Sequence, residues 1–185
     1  MPTSQTERPA PGAVHPAGTA VVPASGAAVA LRAATPADCE YVWQINNAPD
    51  VRAVSVDPRP IPFDEHRRWF TRALSDPSAS LAVICRDGEP AGVVPVHRAR
   101  DGAAVVSIAL DPAHRGAGIG RAAVAAACRA YARRHPGVPI DAWIHPDNRA
   151  SAGCFRAAGF SWRACARRAG RTWHVYRWTE QAAAP

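Results

Sequence analysis

Six residues, Arg115-Gly116-Ala117-Gly118-Ile119-Gly120, stand between an apolar strand-like run and a long alanine-rich stretch. Glycines at such a junction let the backbone approach a ligand closely and turn its N–H groups outward. Those donors add to the partial positive charge of the following helix N-terminus, which favours phosphate. Arg115 and Arg121 bring full charges to the same place. A glycine-rich turn without a ligand is the bland alternative; the position before a helix in a basic setting favours an anion site. It is not a P-loop, which needs G-x-x-x-x-G-K-[ST], because all 22 basic residues of the chain are arginine. Nor is it a dinucleotide fingerprint, whose G-x-G-x-x-G has a different spacing. His66 shares a helix face with Phe63 and Phe70, which suits either a buried histidine or a proton carrier. The other histidines lack metal spacing, so no metal is expected. Cys128 and Cys154 read as small core hydrophobes.

The elements that must position these residues can be read from periodicity and breakers. Val29–Arg32 is a short strand, and Thr35-Pro36-Ala37-Asp38 opens a helix that runs to Asn47 and ends at Pro49. A second helix runs from Pro62 to Ser75. Leu81–Arg86 and Ala91–Arg98 form a hairpin across Asp87-Gly88, with Ala103–Leu110 as the third strand of a meander. The helix after Gly120 puts Val124, Ala127, Cys128 and Tyr131 on one face. Val138–Ile144 is a strand, a short helix follows Asp147-Asn148, and Gly159 suits its C-terminal cap. Ser161–Ala166 and Thr172–Trp178 close the chain as a hairpin. The order predicts an α/β fold, a mixed and mostly antiparallel twisted sheet flanked by about four helices.

At 185 residues the chain fits one domain with tails. The proline-rich residues 1–27 show no period and read as a disordered tail, residues 28–180 as the domain, and 181–185 as a second disordered tail. The apolar run Val21–Leu31 lacks a preceding basic region and is interrupted by Pro23, Ser25 and Gly26, so a signal peptide is not expected. No stretch is apolar enough for a transmembrane helix, and no membrane partner is expected. Five cysteines, an odd number without a C-x-x-C pair, point to a reducing cytoplasm. Arginine without lysine, beside abundant alanine and proline, fits the codon usage of a GC-rich bacterium. The net charge of +7 still favours an acidic or phosphorylated partner. Nucleic acid is not expected, because no basic–aromatic strand motif is present.

Arg115-x-x-Gly118-x-Gly120 resembles the acetyl-coenzyme A motif of the GNAT N-acetyltransferases. Asn148 to Phe160, with Ser151, Phe155 and Gly159, resembles the second motif of that superfamily, in the same order and at a fitting distance. The resemblance spans about residues 28–180. It implies a GNAT fold and acetyl-CoA as co-substrate, with the pyrophosphate on the amides of Arg115 to Gly120. It further implies pantetheine pairing near Ile108–Leu110, and Asn148, Ser151 and Phe155 beside the coenzyme arm. The stretch Asn46-Asn47…Arg52, then Ile61-Pro62-Phe63-Asp64-Glu65-His66, is similar to members that acetylate an amino sugar on a nucleotide, as in pseudaminic acid biosynthesis. By that resemblance Asn47, Arg52 and His66 belong to the acceptor side. Arg52 suits a phosphate or carboxylate through its planar fork.

Acetyl transfer to an amine needs a proton acceptor, polarisation of the thioester carbonyl, and stabilisation of the leaving thiolate. Many relatives use a tyrosine in the second motif as the acid; the matching residue here is Phe155. Many carry a glutamate on the strand before the loop; Ala104-Val105-Val106 has none. Ser151 is the candidate acid. His66 or a water chain is the candidate base, and Asp111 is a weaker one. The expected activity is therefore direct acetylation of a small-molecule primary amine, an amino sugar first. A protein N-terminus or antibiotic amine is the alternative acceptor, and a non-catalytic coenzyme-binding protein is the alternative class. The closing hairpin is compatible with a homodimer.

Overall fold

A computed structural model describes residues 19–21 and 28–180. The strands are β1 (Thr19–Val21), β2 (Val29–Ala33), β3 (Ser80–Arg86), β4 (Glu89–Arg98), β5 (Ala104–Val106), β6 (Ala109–Leu110), β7 (Ile140–Ile144), β8 (Phe160–Arg168) and β9 (Arg171–Trp178). The helices are α1 (Cys39–Asn46), α2 (Pro49–Ala53), α3 (Phe63–Ser75), α4 (Ile119–Arg134) and α5 (Arg149–Ala157). One sheet joins the strands in the order β1-β2-β3-β4-β5-β7-β9-β8, with β6 paired to β4. Every pairing is antiparallel except β5 with β7.

Side-chain alternation sorts the two faces. Val94 and Val96 of β4 join Ile119, Val124, Cys128 and Tyr131 of α4 in one buried cluster. Val93 points the other way and joins Val42 and Ile45 of α1 and Phe70 of α3 in a second. The face predicted for α4 is thus its core face, and Tyr131 anchors it further by donating its hydroxyl proton to the Ser78 carbonyl at 2.9 Å. The expected capping box forms on a 3-10 turn, Pro36–Asp38, that leads into α1, and the Thr35 amide and hydroxyl donate to Asp38 at 2.7 and 2.9 Å. Arg32 holds the same carboxylate through two bonds of 2.7 and 2.6 Å.

Four local expectations are corrected. Pro49 does not simply end a helix; it is the first residue of α2, where its fixed φ and missing N–H cost nothing. The strand expected over Ala103–Leu110 breaks at Ser107-Ile108 into β5 and β6. The strand expected from Val138 starts at Ile140, after Pro139, which has no N–H for the ladder. Thr19–Val21, inside the segment read as a tail, pairs with Val29–Leu31 as β1. The rest of that segment and residues 181–185 lie outside the described residues.

Candidate active site

The break between β5 and β6 matters most. β5 and β7 run parallel but pair only at Ala104 with Ile140 and Val105 with Asp141. Past that point β7 follows β9, with Trp143 opposite Val175 and Ile144 opposite His174. The other strand bends away, the Ser107 amide bonds the Pro95 carbonyl at 3.1 Å, and β6 continues on β4 alone. The two strands diverge, and a cavity of about 330 Å³ opens in the wedge. Val106, Ser107 and Ile108 form one wall and Trp143, Ile144 and His145 the other. Asn148, Ser151 and Phe155 of the α5 region close it. A slot whose sides are a bent strand and an unpaired strand edge fits a narrow, extended ligand with amide groups of its own.

The glycine loop lies at the head of α4. Gly116 and Gly118 have φ of +82° and +76°, which a side chain rarely adopts. Gly118 is the residue before the first helical turn, and no side chain caps that turn. The opening of this 16-residue helix therefore faces outward without a side-chain acceptor. Gly120 is needed for space: a Cβ there would stand 3.1 Å from both Cys154 Sγ and Leu110 Cδ1. Ile119 is buried as the first core residue of the helix, and Arg121 is exposed in the first turn.

Two expectations for this side change. The Arg115 guanidinium is engaged within the chain; it donates to the Leu110 carbonyl at 3.0 and 2.8 Å and pairs with Asp50 of α2. It ties the loop to the helix opposite. Leu110 for the same reason has its carbonyl occupied, and its side chain fills the space beside Gly92 and Gly120. Ile108 lines the cavity; Leu110 does not.

Asn148 caps α5, accepting the Ser151 amide at 3.0 Å. That bond fixes both residues at the cavity wall. Phe155 is buried edge-on to Phe160 at 5.0 Å between ring centres and has no proton to give. Burial pushes the Cys154 thiol up to about 11 and the Cys128 thiol up to about 12. Both are protonated thiols at neutral pH, in keeping with packing roles.

A second cavity, of about 620 Å³, adjoins the first. Asn46, Arg52, Pro95, His97 and Ser107 line both. Its own walls include Ile61, Glu65, His66 and Trp69. His66 is almost fully buried against Trp69 and Phe70. Its Nε2 lies 3.0 Å from the Cys39 carbonyl, which only accepts, so that nitrogen carries the proton. Burial holds its pKa below the usual histidine value despite that bond. His66 faces the second cavity but not the first.

Sequence reasoning passed over His97, which faces both. It sits near the end of β4, opposite Val105. Its ring is open to the cleft, yet protein surrounds the cleft. Burial first, and the Arg168 charge second, hold its pKa below the ordinary 6.5. The available signal was a histidine at the end of the strand paired with the break-bearing one. Asn47 bonds both the amide and the carbonyl of Ile61, at 2.7 and 3.1 Å, and lines neither cavity, while its neighbour Asn46 lines the cleft. Arg52 does line the cleft, but its guanidinium donates to the carbonyls of Asn46, Asp57 and Arg59. It shapes the 57–61 loop. Asp111 caps the turn after β6 by accepting the Ala113 amide at 3.0 Å, and it lines neither cavity.

The acetyltransferase (GNAT) domain family model matches residues 29–161. The chain belongs to the GNAT acetyltransferase family. Among solved structures, it is similar to the aminoglycoside acetyltransferase AAC(6')-Ib in complex with ribostamycin and coenzyme A. That likeness has 18% identity, TM-score 0.69, and covers 82% of this chain and 93% of the other. It is similar to RimL, a ribosomal L7/L12 α-N-protein acetyltransferase in complex with coenzyme A, at 23% identity and TM-score 0.70, covering 85% and 96%. It is also similar to yncA, a putative acetyltransferase from Salmonella typhimurium with acetyl-CoA, at 22% identity and TM-score 0.69, covering 85% and 97%. No curated protein matches. At these identities the likeness shows a shared fold, and the acceptors named for these proteins differ from one another. Among the described residues no helix is long and apolar enough to cross a membrane.

Proposed function

We propose that this GNAT domain transfers the acetyl group of acetyl-CoA directly to a primary amine of a small molecule, an amino sugar or its nucleotide-linked form. The observation that carries the proposal is the pair of adjoining cavities sharing His97 and Ser107, one in the strand wedge and one beside it. Two substrates meeting end to end need such a junction. The second cavity, about 620 Å³, lies within the range of small-molecule sites, roughly 300–1,000 Å³. Its mixed aromatic and polar wall suits a sugar-sized acceptor better than an unwalled surface groove would.

Acetyl-CoA, when bound, supplies the thioester. The loop Arg115–Gly120 would hold its pyrophosphate with main-chain amides, and the wedge edges at Ser107-Ile108 and Trp143 would take the pantetheine arm. Asn148, Ser151 and Phe155 would flank that arm. His97 then accepts the proton of the attacking amine: its depressed pKa keeps the imidazole neutral at pH 7, ready to receive. His66 holds the acceptor wall through its Cys39 bond and its ring contacts. Ser151 gives the leaving sulfur a hydrogen bond, the role Phe155 leaves open.

Acetyl-CoA turnover, read as free thiol release, tests this against nucleotide-linked amino sugars, simple amines and N-terminal peptides. Turnover on an amino sugar that Gly118→Trp abolishes supports the proposal. Turnover on peptides alone moves the acceptor to a protein. Coenzyme binding without turnover on any acceptor defeats the catalytic reading.

A further inference from the structure

We infer that the acceptor carries an oxyanion, a phosphate or carboxylate, that seats on Arg168 beside His97 at the mouth of the wedge. This rests on the acceptor being a small amine, as proposed above, and narrows its class. The observation is a one-sided set of charges. The wedge cavity is lined by Arg52, His97, His145 and Arg168, and by no aspartate or glutamate.

Three of the four are accounted for within the chain or by the chemistry. Arg52 is engaged by three carbonyls. His145 Nε2 accepts from Arg171 Nη2 at 2.6 Å, since an arginine can only donate. His97 serves the junction. Arg168 is different. Its guanidinium lies over the Trp143 ring at 5.6 Å, and among the described residues no carboxylate or carbonyl receives its N–H groups. A ring beneath a guanidinium holds its plane while leaving all the edge donors free. That is an arginine set to receive a planar or tetrahedral oxyanion in bidentate fashion.

The coenzyme does not account for it. The pantetheine arm that would share the wedge with Arg168 carries no anion, and residues 115–121, which would hold the pyrophosphate, line neither cavity. The neighbouring carboxylates do not neutralise it either. Asp57 and Glu65 line the second cavity and not the wedge, and Asp57 is bound by Arg59 through its guanidinium at 2.6 to 3.2 Å and by the Arg59 amide at 3.0 Å. A polycationic amine reaching the wedge would meet the like charges of Arg52 and Arg168.

The test measures calorimetric binding of four probes to the full chain, with and without coenzyme A: glucosamine, glucosamine 6-phosphate, glucosaminuronic acid and kanamycin. The wild type is expected to bind the charged sugars at least about tenfold more tightly than glucosamine. Arg168→Gln is expected to collapse that ratio, and Arg168→Glu to reverse it, with coenzyme A affinity unchanged. The ratio between phosphate and carboxylate tells which oxyanion the site takes. Equal binding of charged and neutral sugars overturns the inference, as do a preference that survives Arg168→Gln, tighter kanamycin binding, and failure of every sugar to bind. Loss of coenzyme A affinity in Arg168→Gln reassigns the arginine to the coenzyme and also overturns it. Acetyl-CoA turnover on any neutral amine keeps the catalytic reading in each of these cases, so the two fail separately.

Discussion

The head of α4 offers a ligand main-chain groups, whereas the wall across the cleft offers side chains. On the first side, Gly116, Gly118 and Gly120 clear the backbone, and the guanidinium of Arg115 within the loop turns back to Leu110 and Asp50. On the second, Asn46, Arg52, His66, Trp69, His97 and Arg168 come from α1, α2, α3, β4 and β8. The difference teaches what each side can vary. A main-chain cradle depends on a few residues adjacent in sequence and tolerates little else at those positions. A side-chain wall depends on packing across the sheet and can change its ligand by one substitution.

The largest expected effect tests the cradle. Gly118→Trp places a bulky side chain at a φ of +76° in the loop, and coenzyme A binding by calorimetry should weaken by about a hundredfold or more. Normal affinity in a folded Gly118→Trp protein would put the coenzyme elsewhere.

Next comes the junction. His97→Gln should lower kcat/KM by about 10²–10⁴, the range for a positioned proton carrier. The pH profile gives the sign. The neutral imidazole is the active form, so wild-type kcat/KM rises as pH climbs through a pKa below 6.5 and is level above it. The glutamine variant loses that limb. Removing the Arg168 charge with Arg168→Gln moves the limb upward, while burial, the larger influence, keeps part of the depression. An unchanged profile in His97→Gln would return the base to His66 or to water.

Ser151→Ala sharpens the comparison from the coenzyme side. It should lower kcat about tenfold, less than His97→Gln, because a thiolate leaves without full protonation. Its amide still caps onto Asn148, so thermal unfolding should not move.

The smallest effect concerns how the side-chain wall is anchored. Burial pulls the Asp38 pKa up, but the bonds from Arg32 and Thr35 together bring it below its ordinary 3.8. A depressed carboxylate stabilises the fold above the unfolded value and loses that contribution as pH falls through the folded one. Asp38→Asn should therefore cost about 1–3 kcal/mol in urea unfolding at pH 7, and less near pH 3.

How much of this was legible follows from where each interaction lies in the chain. The glycine loop before α4, the capping box at Thr35–Asp38 and the Asn148 cap are contacts between residues at most a few positions apart. Residue type and spacing therefore specify them before any fold exists. The buried face of α4 was legible for a similar reason, since helical period alone selects Val124, Cys128 and Tyr131. The two motifs in order identified the family, and with it the sheet. The wedge was not legible: Ala103–Leu110 reads as one apolar strand, and only its simultaneous pairing to β4 and β7 shows that it must bend between Val106 and Ala109.

The acceptor side was decided by tertiary structure throughout. Asn46 and Asn47 are equivalent as letters, but the packing of the 57–61 loop turns Asn47 inward to Ile61 and leaves Asn46 to the cleft. His66 and His97 are equally titratable in sequence, and only the meeting of two cavities singles out His97. Arg52 and Arg168 carry the same charge, but carbonyls 5 to 7 residues away occupy the first, while the second lies over the ring of Trp143 from another strand. Local chemistry is written in adjacent residues because short loops and caps close on themselves. Which side chain is left free to meet a ligand depends on every other partner the fold brings within reach.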